Sequence, residues 1–157
     1  MAGNIGSKAT SGVTLVSSGS SLATGTAVAG ATNLDARSAG NIDSDFQARF
    51  ELVCQWATIT SIIAGSIAAE VYLLPILDGT NAPDVDTTSG TSRIPYSAYA
   101  GVFECPKAPT ANTNMRLATA LISFDPMLYT PYVLNRSGQT ISAAWTLKVF
   151  SSKGQYT

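Results

Sequence analysis

The stretch Phe46-Gln-Ala-Arg-Phe-Glu-Leu-Val-Cys-Gln-Trp56 alternates between apolar and polar side chains, and it decides the fold class of this chain. Its even-numbered positions are all apolar, whereas every odd-numbered position except Val53 is polar. A period of two residues is typical of a β-strand with one buried face, since a helix would need a period of about 3.6 residues. The stretch therefore predicts a long antiparallel strand that borders a hydrophobic core.

Further strands are predicted at the spacing of an all-β domain. They lie in the segments 68–77, 101–105, 115–124, 127–134 and 141–149. The turn Asn135-Arg-Ser-Gly138 is predicted to close a hairpin. No helix is predicted, because the alanine-rich segments lack both a 3.6-residue periodicity and capping residues. One short turn is expected near 61–66. The long connection 78–100 favours a jelly-roll or Greek-key arrangement, so we predict an antiparallel two-sheet β-sandwich.

Residues 1–33 predict an extended, flexible N-terminal arm in front of a β-sandwich domain at 34–157. The segment consists mostly of Gly, Ser, Thr and Ala, and its sizeable apolar cluster is Val13, Leu15 and Val16. Ordering about 30 residues costs on the order of 30–60 kcal/mol, which such small side chains do not offset by burial alone. The arm is therefore expected either to be disordered or to add a strand to a neighbouring subunit, with that cluster as its interface.

Charge and histidine content exclude several classes of function. The 157 residues include no histidine, 12% of them are charged, and the net charge is −1. Without histidine a Ser-His-Asp triad is impossible, and most zinc sites lose a usual ligand. The pI of about 5.2 provides no basic field. The most apolar stretch, 59–77, is interrupted too often to span a membrane. Neither nucleic acid nor a membrane is an expected partner, and without a secretory signal we expect synthesis in the cytoplasm.

Acidic residues of the long connection are the main candidates for chemistry. The loop contains three aspartates and an asparagine, namely Asp78, Asn81, Asp84 and Asp86. Oxygen ligands of this kind could bind calcium, and Asp84 with Asp86 could form a glycosidase pair. The spacing does not match an EF-hand loop, and a polar loop does not raise a carboxyl pKa. We interpret them as turn residues, and we predict no catalytic residue, metal site or cofactor site.

Cysteines and aromatic residues are assigned by the segments in which they lie. Cys54 shares the apolar face of its strand with Trp56, so it and Cys105 are predicted to be buried and reduced rather than bridged. Tyr96 and Tyr99 lie in the long connection and are predicted to be exposed interface residues. Tyrosine suits an interface because it provides both contact area and a hydrogen bond.

Four short segments resemble small virion structural proteins of tailed bacteriophages. They are Val71-Tyr-Leu-Leu-Pro-Ile-Leu-Asp-Gly-Thr-Asn81, Asp84-Val-Asp86, Tyr129-Thr-Pro-Tyr-Val-Leu-Asn-Arg-Ser-Gly-Gln139 and Trp145-Thr-Leu147. The likeness covers residues 46–149 and leaves the arm unmatched. Within this group the chain is similar to head decoration or cement proteins. The resemblance implies a jelly roll or related β-sandwich that binds the capsid lattice as a dimer or trimer.

The resemblance also implies a structural function rather than an enzymatic one. The expected partners are the major capsid protein and further copies of this chain, and the expected location is the capsid surface of the virion after synthesis in the host cytoplasm. In this hypothesis residues 12–32 order on a neighbouring subunit. The alternative is a β-sandwich tail or receptor-binding module that binds carbohydrate through Tyr96 or Tyr99. A remote alternative is a polysaccharide hydrolase that uses Asp84 and Asp86.

Overall fold

Eleven β-strands and one short 3-10 turn form the regular structure of the residues that are described here. The computed structural model describes residues 5–9, 12–37 and 47–156. The strands are β1 (Ile5–Ala9), β2 (Val13–Gly19), β3 (Ala27–Ala29), β4 (Leu34–Asp35), β5 (Gln47–Cys54), β6 (Ile67–Pro75), β7 (Tyr99–Glu104), β8 (Met115–Ala118), β9 (Ile122–Ser123), β10 (Leu128–Asn135) and β11 (Trp145–Tyr156). The 3-10 turn spans Tyr96–Ala98, and the described residues contain no α-helix. The all-β prediction is confirmed.

The strands form two antiparallel sheets, each four strands wide. In sheet I the order is β1/β2, β11, β5 and β8/β9, because β1 and β2 pair with successive parts of β11, and β8 and β9 with successive parts of β5. In sheet II the order is β3/β4, β10, β6 and β7, with β3 and β4 both paired to β10. This order, in which the chain passes repeatedly between the sheets, is that of a jelly roll. The predicted two-sheet sandwich is confirmed.

The buried face of β5 coincides with that of β11. Even-numbered positions of β5 are buried, namely Ala48, Phe50, Leu52 and Cys54. Phe50 lies opposite Val149, and Leu52 lies opposite Leu147. Both pairs belong to the main hydrophobic core between the sheets. The predicted alternation is confirmed over residues 47–54, while Phe46 lies outside the described residues.

The strand β6, in the middle of sheet II, is covered on both faces. Val71 on its inner face joins the main core, whereas Tyr72 and Leu74 on its outer face belong to a second, smaller core. The long connection between β6 and β7 supplies Ala98 to this second core, and Ile94 packs against it. A strand that is covered on both sides has no polar face, which explains why its sequence alternates less clearly than that of β5.

Residues 13–35 belong to the sandwich rather than to a separate arm. β2 pairs with β11 in sheet I, and β3 and β4 pair with β10 in sheet II. Leu15 is 0% exposed, and Val16 is also buried in the main core. Small residues allow this packing, since a Cβ added to Gly19 would collide with the ring of Trp145. The predicted flexible arm at 1–33 and its boundary with the body are therefore corrected for the described part of this segment.

The turn at Asn135–Gly138 connects the two sheets instead of closing a hairpin. β10 lies in sheet II and β11 in sheet I, so residues 136–144 cross the end of the sandwich. Ile141 forms bridges with Leu22 and Trp56 in this crossing. Turn residues show that the chain bends, but they do not show which sheet it then enters. The hairpin prediction is wrong at this position.

The predicted strand at 115–124 is divided into β8 and β9. Between them, the N–H of Phe50 donates to the hydroxyl of Thr119 over 3.1 Å, and the N–H of Thr119 donates to the carbonyl of Phe50 over 3.0 Å. The threonine side chain thus replaces a backbone acceptor at the interruption, so the buried N–H group of Phe50 keeps a partner.

Candidate functional site

Carboxyl groups of the long connection are engaged in turns. Asp78 accepts a hydrogen bond from the N–H of Asn81 over 2.7 Å, and Asp86 accepts one from the N–H of Thr88 over 2.8 Å, whereas Asp84 is simply exposed. Hydrogen bonds from the Asn81 backbone lower the pKa of Asp78, and those from the Thr88 hydroxyl and backbone lower the pKa of Asp86. A glycosidase acid needs the opposite shift. Among the residues that the structure describes, no three His, Cys, Asp or Glu side chains are grouped as metal ligands.

Both cysteines lie in the interior as free thiols. Cys54 and Cys105 are unbridged and buried, as the sequence predicts. Burial raises the pKa of Cys54 to about 12, with a further contribution from Cys105, and burial also raises the pKa of Cys105. Because the thiolate is the nucleophilic form, neither thiol is activated at neutral pH.

Three tyrosines form a continuous aromatic group at one end of sheet II, which we call the tyrosine surface. Tyr96 and Tyr99 stack in parallel, with ring centroids 5.7 Å apart and planes at 7°. The ring of Tyr72 meets Tyr99 edge to face, at 5.6 Å and 78°. Tyr96 is 83% exposed and Tyr99 is 36% exposed, while Tyr72 is buried. The tyrosine surface therefore extends from the second core to solvent.

Local backbone geometry explains the parallel stack. Pro95 precedes the 3-10 turn, and the N–H of Ala98 donates to the carbonyl of Pro95 over 2.9 Å. A 3-10 turn has about three residues per turn, so side chains at positions i and i+3 lie above one another. Tyr96 and Tyr99 have this spacing. The cross-strand pairing of Tyr72 with Tyr99 then fixes the stack to the sheet.

Glu70 connects Tyr72 to Arg136 on the outer face of sheet II. The Tyr72 hydroxyl and the Nε of Arg136 each donate to Oε2 of Glu70 over 2.8 Å. Burial raises the pKa of Tyr72 to about 12, and the hydrogen bond to Glu70 adds to this shift. The phenol therefore stays protonated, and the three side chains form a fixed set of hydrogen-bonding groups.

An open cleft of about 540 Å³ adjoins the tyrosine surface. Tyr72, Leu134 and Arg136 line it from the sheet side, and residues 90–94, including Arg93, line it from the long connection. Volumes of about 300–1,000 Å³ are typical of small-ligand clefts. The lining combines apolar side chains, such as Leu134 and Ile94, with polar ones, such as Arg93 and Arg136.

Hydrogen bonds to the segment before β3 hold the wall of this cleft. The N–H of Ser92 donates to the carbonyl of Gly25 over 3.0 Å, and the N–H of Ala27 donates to the Ser92 hydroxyl over 2.8 Å. The N–H of Gly90 donates to the Thr26 hydroxyl over 3.1 Å. Gly25 has a φ of +68°, and a Cβ there would lie 2.6 Å from the carbonyl oxygen of Gly90, so a glycine is needed for this approach.

Comparisons with known proteins identify no relative of this chain. No protein-family model matches the chain, and neither curated proteins nor solved structures give a match. Within the described ranges, no helix has the length and apolar character needed to cross a membrane.

The structure separates the predicted interface residues into two groups. Tyr96 and Tyr99 lie together at the surface, in the tyrosine surface. Leu15 and Val16 lie in the main core, and Val13 is half-buried and packs against that core. These three residues could contact a neighbouring subunit only if β2 detached from its own sandwich.

Sequence reasoning missed the residues around the two tyrosines. Tyr72, Glu70 and Arg136 reach the site through strand pairing, because β6 lies between β7 and β10. Arg93 reaches it through the hydrogen bonds that hold the long connection. The alternation of β6 could place Tyr72 on the outer face, but no local signal shows which residues lie opposite it.

Proposed function

We propose that the protein is a structural component of a tailed-bacteriophage virion that binds and stabilises the capsid lattice as a decoration or cement protein. The observation that carries the proposal is the position of the segments that resemble such proteins. The segment 71–81 includes half of β6, the segment 129–139 includes most of β10, and in the sheet Val71 lies opposite Val133. Fold alone does not imply function. The proposal depends on this coincidence between the resemblance and the centre of a jelly roll.

Two exposed isoleucines provide an apolar contact for the capsid, and we call them the isoleucine surface. Ile63 is 66% exposed and Ile67 is 43% exposed. The N–H of Ile63 donates to the Ser66 hydroxyl over 3.0 Å, and the N–H of Ser66 donates to the carbonyl of Ile63 over 3.1 Å, so a tight turn holds the first isoleucine in place. Fully burying an isoleucine side chain is favourable by about 1.5–3 kcal/mol. Contacts of this kind suit a protein partner.

Small contacts suffice because a capsid presents many identical sites. Linking weak contacts through a lattice or through a dimer or trimer of the chain raises the overall affinity without new contacts. The proposed partners are accordingly the major capsid protein and further copies of this chain, on the outside of the virion. Only 12% of residues are charged, so binding is expected to depend little on salt concentration.

Cosedimentation with capsids assembled without the protein tests the proposal. The wild-type protein is expected to saturate the capsids and to raise their melting temperature. The double variant Ile63→Ser/Ile67→Ser is expected to bind at least about tenfold more weakly, which corresponds to about 1.4 kcal/mol. Leu121→Ser is the matched control, because Leu121 is another exposed aliphatic residue, on the connection between β8 and β9. It should bind as the wild type does.

A cryo-EM map of intact particles provides the independent measurement. Density for the jelly roll on the head lattice is expected. The proposal fails if purified particles lack the protein or if the wild-type protein does not bind the capsids. Density along the tail would instead support the alternative of a tail or receptor-binding module.

A further inference from the structure

We propose that the tyrosine surface and the adjoining cleft bind a saccharide, through a pyranose ring that stacks on Tyr96 and hydroxyl groups that bond to the cleft. The site is separate from the isoleucine surface. Tyr72 pairs with Tyr99 at one end of β6 and β7, whereas Ile67 pairs with Glu104 at the other end. The inference therefore stands or falls independently of capsid binding.

Tyr96 provides a flat, preorganised platform. The ring of Tyr99 lies parallel to it and offset, with centroids 5.7 Å apart and planes at 7°, and Tyr96 is 83% exposed. The face of an aromatic ring carries partial negative charge. The C–H groups on one face of a pyranose carry partial positive charge, so the two rings attract when they stack. Because Tyr99 and the 3-10 turn already hold the ring, little side-chain entropy is lost on binding.

The cleft supplies the hydrogen-bonding groups that a saccharide needs. Planar side chains with several donors or acceptors can contact two adjacent hydroxyl groups at once. The cleft has two arginines in its lining, Arg93 and Arg136, whereas the backbone N–H groups of residues 90–92 already donate within the chain. Arg136 lines the cleft and is oriented by the 2.8 Å hydrogen bond from its Nε to Glu70.

A saccharide fits this site better than a protein surface does. The large exposed apolar residues nearest in sequence to Tyr96 and Tyr99 are Leu77 and Leu121, both outside the cleft. A protein that covered the site with an apolar patch would remove water from the two arginines of the cleft without replacing its hydrogen bonds, which is costly. Among the described residues that line the cleft there is no Asp or Glu, so binding without hydrolysis is expected.

Affinity electrophoresis tests the site in the full-length protein. Native gels are cast with dextran, laminarin, glycogen, galactomannan, alginate or purified bacterial lipopolysaccharide, so that neutral and acidic saccharides are both present. The wild-type protein is expected to be retarded in at least one gel. Tyr96→Ala is expected to weaken binding at least about tenfold, while Tyr96→Phe keeps the platform and should remain retarded. Arg93→Ala tests the cleft and should also weaken binding.

Controls separate a lost site from a damaged fold. Leu121→Ala changes an exposed side chain outside the site and should be retarded like the wild type. The melting temperature of Tyr96→Ala should match that of the wild type, because the side chain is largely exposed. Wild-type protein that migrates freely in every gel, or Tyr96→Ala that is retarded as strongly as the wild type, overturns the proposal.

Discussion

The indole Nε1 of Trp56 donates a hydrogen bond to the Ser137 hydroxyl over 3.0 Å, and both residues are buried. The same hydroxyl lies 2.8 Å from Oδ1 of Asn135, whose Nδ2 donates to the carbonyl of Leu22 over 2.8 Å. Three segments of the chain are therefore joined at one end of the sandwich by a buried polar network. Asn135 is 0% exposed, so its side chain is entirely committed to this network.

We expect Ser137→Ala to destabilise the protein by about 1–3 kcal/mol, because it leaves the buried indole N–H without an acceptor. Urea denaturation followed by tryptophan fluorescence measures the change. Ser97→Ala is the control, since Ser97 is exposed in the 3-10 turn. Equal midpoints for the two variants would show that the network contributes nothing to stability.

Leu15→Ala is expected to cost about 2–5 kcal/mol, the usual range for a leucine truncated in a core. Leu15 is 0% exposed and lies in β2, within the segment that composition predicts to be an arm. The measurement is again the free energy of unfolding, and Val28→Ala, on the partly exposed side of β3, serves as the control. If the variant were as stable as the wild type, β2 would contribute nothing to the stability of the sandwich, as expected of a flexible arm.

Ser92→Ala should loosen the long connection without unfolding the sandwich. The change removes the acceptor of the Ala27 N–H and the 3.0 Å hydrogen bond from the Ser92 hydroxyl to the carbonyl of Thr88. Limited trypsin digestion measures this loosening, because the peptide bond after Arg93 lies in the affected segment. We expect cleavage there to become several-fold faster, whereas Thr87→Ala, at an exposed position of the same connection, should leave the rate unchanged.

Alkaline pH should destabilise the protein through Cys54. Burial raises the pKa of this thiol from 9.0 to about 12. The unfolded state therefore ionises first, so stability is complete below about pH 9 and falls as the pH rises toward 12. The slope per group is about 1.4 kcal/mol per pH unit within that range. Tyr72, whose pKa is raised from 10.0 to about 12 mainly by burial, adds to the effect at higher pH.

Urea denaturation at pH 8 and pH 10 measures this contribution. Cys54→Ala should lose about 1 kcal/mol less than the wild type between the two pH values. Met115→Ala is the control, because Met115 is the cross-strand neighbour of Cys54 and its removal leaves the thiol in place. The same pH dependence in Cys54→Ala and in the wild type would contradict the assignment.

Sequence predicts most reliably what short-range periodicity determines. The alternation around Phe50 and Leu52 correctly identifies the buried face of β5, because a strand with one face in the core must alternate. The burial of β2 is not predicted. The summed area of its side chains underestimates how much the segment gains from packing, because small residues let its backbone come close to neighbouring side chains. Gly19 beneath the ring of Trp145 is the clearest instance.

Pairing between strands that lie far apart in the sequence cannot be predicted from short sequence patterns. The exposure of Tyr96 and Tyr99 follows from their place in a long connection, and their stack follows from a spacing of three residues. Their contact with Tyr72 does not follow, since it depends on the pairing of β6 with β7 across that connection. The cleft is less predictable still, because its walls come from β6, from the crossing after β10 and from residues 90–94.

The order of strands has a consequence for how the protein is made. β11 holds β2 and β5 in sheet I, and β10 holds β3 and β6 in sheet II. Both of these bridging strands follow the strands that they join in the chain, so neither sheet can close before β10 and β11 have been synthesised. Until then Phe50 and Leu52 lack their cross-strand partners in β11, Val149 and Leu147. Closing both sheets therefore requires pairing between segments that lie far apart in the sequence, and such non-local pairing makes slow folding the expected course.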